Sequence, residues 1–108
     1  MKTLSLSKHR PQEQLPHANI IWIEGQQNYC VLHLAEGKPI VLTKTLKNLE
    51  QVLADNTFVR IHKEHIINRT FIASFSDTLV VLNDGTSLGL ARRRKRLILK
   101  NNSTVVLI

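Results

Sequence analysis

Short runs of β-branched and aromatic residues, each ended by a turn-forming cluster, dominate this chain and direct it toward antiparallel β structure. Ile20-Ile21-Trp22-Ile23-Glu24 and Tyr29-Cys30-Val31-Leu32-His33-Leu34 flank the polar Gly25-Gln26-Gln27-Asn28, which reads as a hairpin. Glu36-Gly37-Lys38 makes a second tight connection into Pro39-Ile40-Val41-Leu42-Thr43-Lys44, where proline at the strand start removes a donor the ladder does not need. The period then changes. Leu46, Leu49, Val52 and Leu53 recur at helical spacing behind Thr45, a suitable first-turn cap, and predict one short amphipathic helix. Strand patterns resume at 58–61, 66–68, 70–75 and 79–82, and Asn83-Asp84-Gly85-Thr86 supplies a hairpin turn before 87–90.

The ends read differently. Residues 1–17 are polar, contain Pro11 and Pro16 and show no sustained period, so they are expected to be a flexible arm. The domain proper is expected over 18–100. Ala91 to about Leu99 is rich in good helix formers and predicts a basic C-terminal helical segment. Residues 101–108 close the chain as an apolar tail. The fold class expected is therefore mainly β, with antiparallel sheets, one short helix and this basic terminal segment. At 108 residues and 43% hydrophobic the chain has the material for one core without disulfide or metal staples.

Charge is distributed unevenly. Through Asp84 there are nine basic and eight acidic residues, and beyond it six basic and none acidic. Clustered cations that neutralise phosphates release counterions, which points to nucleic acid as partner ahead of an anionic membrane surface. No apolar stretch approaches the ~18 residues of a membrane span, and the first residues lack the apolar run of a signal peptide. One cysteine, Cys30, permits no internal disulfide and fits a reducing compartment, so a cytoplasmic protein without membrane association is expected. On its strand Cys30 reads as a small buried hydrophobe.

The densest chemistry lies in Phe58-Val59-Arg60-Ile61-His62-Lys63-Glu64-His65-Ile66-Ile67-Asn68, where an alternating strand pattern leads into a basic, hydrogen-bonding tip. With Arg92-Arg93-Arg94-Lys95-Arg96 it suggests a scaffold presenting separate basic loops to DNA. His62 and Asn68 read as loop supports, an anchoring imidazole and an amide satisfying backbone groups at a turn. A metal site could be imagined from His62, His65 and His33. In a continuous strand, however, His62 and His65 would face opposite sides, and no metal or other cofactor is expected. No nucleophile motif, phosphate loop or carboxylate pair assembles a catalytic site.

The succession of these segments, above all F-x-R-x-H-x-x-x-x-x-N over Phe58 to Asn68 and Asn83-Asp84-Gly85 followed by Arg92, resembles the LytTR family. These are β-rich DNA-binding domains of bacterial regulators of the LytR and AlgR type. The resemblance runs from Asn19 to Leu97. It implies transcription regulation by sequence-specific binding of double-stranded DNA, with loops inserted in the major groove and base contacts from Asn28, Lys63 and Arg92. Arg and Lys suit guanine O6/N7 and Asn suits adenine N6/N7, so the residue types agree with that role. Arg93, Arg94, Lys95 and Arg96 are the expected phosphate contacts. The resemblance also implies tandem direct repeats in the DNA, so two copies of the chain, a homodimer on the duplex, are expected, and the apolar stretch Ser103 to Ile108 is a candidate contact between them.

Two positions depart from the family pattern. Relatives often have a small hydroxyl residue where this chain has Glu64, a carboxylate placed to pair with Lys63, and serine where it has Ala91. Two other functions compete. A small β-rich RNA-binding protein would need exposed stacking aromatics, of which the chain has five candidates in all. A metal-dependent hydrolase would need the histidines to gather.

Overall fold

A computed structural model describes residues 2–6, 12–54, 56–94 and 106–107. The strands are β1 (Thr3–Ser5), β2 (Gln14–Pro16), β3 (Ile20–Gly25), β4 (Cys30–Leu34), β5 (Ile40–Leu42), β6 (Phe58–His62), β7 (His65–Asn68), β8 (Ile72–Phe75), β9 (Leu79–Leu82), β10 (Ser87–Gly89) and β11 (Val106–Leu107). The helix α1 covers Leu46–Val52, and single 3-10 turns occupy His17–Asn19, Arg69–Phe71 and Arg92–Arg94. They form a five-stranded sheet in the order β5-β4-β3-β7-β6, a four-stranded sheet β10-β9-β8-β11 and the hairpin β1-β2. Among the described residues every pairing is antiparallel except β11 with β8.

The five-stranded sheet is the middle layer, which explains why its central strand β3 is apolar at nearly every position. Ile20, Ile23, Leu32 and Ile66 pack on one face with Leu46 and Leu49 of α1 and with Leu4 and Leu15 of the hairpin β1-β2. Trp22, Val59, Ile61 and Ile67 pack on the other against Phe75, Val80, Leu82, Leu88 and Leu90 of the second sheet. A bulge between Ile20 and Trp22 breaks the alternation, so neighbouring Ile21 and Trp22 reach the same core. The helix begins where the sequence signals it: Thr45 Oγ1 accepts the Asn48 N–H at 3.2 Å. Its first turn lies so close to the end of β3 that a Cβ on Gly25 would stand 3.0 Å from Leu46 Cδ2.

At both ends the described residues add detail to the sequence reading. In the N-terminal segment, expected as a flexible arm, the described parts β1 and β2 pair in register, with Leu4 1% and Leu15 6% exposed in the core. Two isolated leucines in a polar context carry no period, and their burial removes apolar surface from water. At the other end, the expected basic helix begins as the 3-10 turn Arg92–Arg94, and its continuation through residues 95–100 lies outside the described residues. Within the apolar tail, Val106 and Leu107 add a parallel strand beside Ser74 and Phe75, so this part is engaged by the chain's own sheet. Among the described residues, no helix is long and apolar enough to cross a membrane.

Candidate nucleic-acid interface

Strand β3 runs antiparallel to both β4 and β7, so residues 26–29 and the turn Lys63–Glu64 emerge at the same end of the sheet. A backbone bond links them, the Gly25 N–H donating to the Glu64 carbonyl at 2.7 Å. The first loop is closed by the Gln26 N–H on the Tyr29 carbonyl at 2.8 Å. The third segment arrives from the other sheet. After β10 the Ala91 N–H donates to the Ile61 carbonyl at 2.8 Å, and Arg94 Nη1 donates to the Arg60 carbonyl at 3.3 Å. The 3-10 turn with Arg92 thus lies against the end of β6. Three segments far apart in sequence, carrying Asn28, Lys63 and Arg92, share one end of the fold.

Asn28, Lys63 and Arg93 are exposed. Among the described residues, no hydrogen bond or ion pair engages their side chains. The Arg92 side chain and all of Lys95 and Arg96 lie outside the described residues. Arg94 is half-buried and commits one donor inside the protein. The expected pairing of Glu64 with Lys63 does not form; neighbours in a two-residue turn diverge, and Glu64 acts through its backbone instead. A shallow cleft of about 510 Å³ lies between the helix start and the two tips, with Lys47, Arg60 and Lys63 among its lining cations.

His62 and Asn68 occupy opposite ends of the β6–β7 hairpin. His62 Nδ1 accepts the Glu64 N–H at 3.2 Å across the turn. Asn68, 1% exposed, sits at the far end of β7, where Nδ2 donates to the carbonyls of Ile20 (3.0 Å) and His17 (3.3 Å). Its Oδ1 accepts from the Thr70 N–H and hydroxyl.

The premise that His62 and His65 face opposite sides fails, because they do not share one continuous strand. A two-residue turn intervenes, a bulge between Arg60 and His62 shifts the register, and the two residues are cross-strand partners. Their rings belong to a row. His33 stacks on Trp22 at 4.2 Å, Trp22 meets His65 edge-on at 5.6 Å, and His65 stacks on His62 at 4.9 Å. Burial, and secondarily the neighbouring His62, hold the His65 pKa below the usual histidine value. Among the described residues, no three His, Cys, Asp or Glu gather closely enough to hold a metal ion. Cys30 is fully buried, and desolvation raises its thiol pKa.

Arg60, to which sequence reasoning gave no role, is the most heavily bonded side chain at this end. Its guanidinium donates to the His62 carbonyl (3.3 Å), the Lys63 carbonyl (2.6 Å) and Glu50 Oε1 on α1 (3.0 Å). A charge alternating with buried Val59 and Ile61 was the signal available, since a half-buried cation needs partners.

A sequence profile of the LytTr DNA-binding domain matches residues 12–103. Among solved structures, the LytTr DNA-binding domain described for a methyl-accepting/DNA response regulator from Bacillus cereus is similar. The TM-score is 0.75 at 16% identity, over 95% of this chain and 98% of that one. At that identity the likeness is one of fold. No curated protein matches the chain. The profile, spanning most of the sequence and agreeing with the layered β architecture, settles the family: the chain belongs to the LytTr DNA-binding domains.

Proposed function

We infer that the protein is a bacterial transcription regulator that binds double-stranded DNA sequence-specifically through the loop-bearing end of its central sheet. The observation that carries this reading is the convergence of residues 26–29, Lys63–Glu64 and 91–94 at that end, with Asn28 and Lys63 exposed and uncommitted. Asn28, Lys63 and Arg92 are assigned to base edges in the major groove, and Arg93, Arg94, Lys95 and Arg96 to phosphates. Tyr29, at 42%, is the one aromatic residue left substantially exposed, which gives little platform for the base stacking of single-stranded RNA recognition.

Three reading residues cover few base pairs, and each good contact discriminates by only ~1–3 kcal/mol, so two copies on tandem direct repeats are assigned to one site. Selection of bound duplexes from a random pool tests the reading. It should converge on one short sequence, repeated in tandem. A pool that stays random after repeated rounds would overturn it.

A further inference from the structure

A cation at the loop-bearing end of a DNA-binding domain would ordinarily be taken for a phosphate contact, and Arg60 lies there. Its donors point inward instead. Alternation in β6 turns its side chain away from the second sheet and toward α1, where Glu50 pairs with it and leaves it 18% exposed. The remaining donors reach the two carbonyls of the neighbouring turn, His62 and Lys63.

That turn lacks the usual means of holding its shape. Two-residue hairpins favour types I′ and II′, which need positive φ and hence glycine or asparagine, because their twist matches that of the strands. Lys63 and Glu64 both have negative φ; the described residues with positive φ are Gly37 and Gly85. A hairpin closed without a primed turn tends to splay; here the bulge between Arg60 and His62 adjusts the twist, and side chains add to the hold. Arg60 grips its carbonyls, and His62 Nδ1 takes its free N–H.

We propose that Arg60 is a positioning residue for DNA reading: it sets the Lys63–Glu64 turn from the α1 side and makes no DNA contact. The same grip extends to the neighbouring tip, since the Glu64 carbonyl holds the Gly25 N–H at the root of the Asn28 loop. Arg94, donating to the Arg60 carbonyl, joins the third segment to the same point. The guanidinium thus sets the turn, and backbone bonds at Glu64 and at the Arg60 carbonyl tie the other two elements to it. Lysine cannot substitute, because a point charge cannot span two carbonyls and a carboxylate as a planar fork does. This assignment rests on the reading of Asn28 and Lys63 as base contacts.

The test combines DNA binding with amide exchange in the free protein, for wild type, Arg60→Lys and Glu50→Gln. Arg60→Lys is expected to lower the preference for a selected duplex over a random one by about fivefold or more. Its salt dependence should match wild type, because no phosphate contact is lost. Glu50→Gln, a change on the exposed helix face, should shift the preference in the same direction by less. Without DNA, the Gly25 and Glu64 amides should exchange faster in both variants while the Ile66 amide does not. If Glu50→Gln instead tightens binding and steepens the salt dependence, Arg60 is a phosphate contact and the proposal fails. Unchanged exchange at Gly25 and Glu64 in Glu50→Gln also overturns it, even if Arg60→Lys does not fold. A wild-type protein without sequence preference would sink the base-contact reading, and the exchange data would still decide whether Arg60 sets the turn.

Discussion

The imidazoles of His62 and His65 stack at 4.9 Å directly across the hairpin whose turn carries Lys63. His65 is half-buried, and Trp22 meets its ring edge-on. Charging His65 places a cation against its neighbour.

A pH dependence follows with a definite sign. His65 has a folded pKa below its unfolded value, so it binds protons more readily when unfolded. Its contribution to stability is complete above about pH 6.5 and declines as the pH falls below that toward the folded pKa. Glu24 and Glu64 oppose the shift without cancelling it. The urea midpoint should therefore drop between pH 7 and 5, and His65→Phe should flatten that drop. Asp84, whose carboxyl is held low first by the Thr86 N–H, loses its contribution only in the more acidic aspartate range.

The approach of α1 to the end of β3 gives a second expectation. Gly25→Ala would press a methyl against Leu46 and should cost about 1–3 kcal/mol in urea unfolding. Leu49→Ala, which empties a fully buried position in the same layer, should cost about 2–5 kcal/mol. Only the glycine change should also disturb the Gly25–Glu64 bond and the spectra of both tips.

How much of this was legible beforehand depends on what each residue's role required. Strands, the short helix and the turn at Asp84-Gly85 follow from local periodicity and from a glycine with φ of 92°. Leu4 and Leu15 were invisible as core because single apolar residues acquire meaning only when a distant surface receives them. The pairing of His62 with His65 depended on a bulge and a glycine-free turn, and period counting is blind to both. Asn28, Lys63 and Arg92 could be singled out from the family resemblance, but their convergence rests on sheet order and on long-range backbone bonds.

Salt dependence separates holding from reading. Log affinity should fall linearly with log salt at about 0.9 per neutralised phosphate. Arg93→Ala should reduce that slope by about one contact and weaken binding to all sequences alike. Arg93 is a cleaner probe than Arg94, which also bonds the Arg60 carbonyl. A slope identical to wild type would remove Arg93 from the interface.

If two copies share a site, a duplex with both repeats should bind protein in two cooperative steps. Inserting about five base pairs between the repeats turns the second copy to the opposite side of the helix and should abolish cooperativity. Sedimentation showing one protein per best duplex would refute the two-copy arrangement.

The most direct measurement compares Arg92→Ala, Lys63→Ala and Asn28→Ala on the selected duplex, on single-base variants of it and on random DNA. Each substitution should cost about 1–3 kcal/mol on the selected duplex, relax preference at its own base position and leave random-DNA affinity much less affected, with Lys63 the weakest discriminator. Equal losses on selected and random duplexes for all three would contradict base readout by the converging loops.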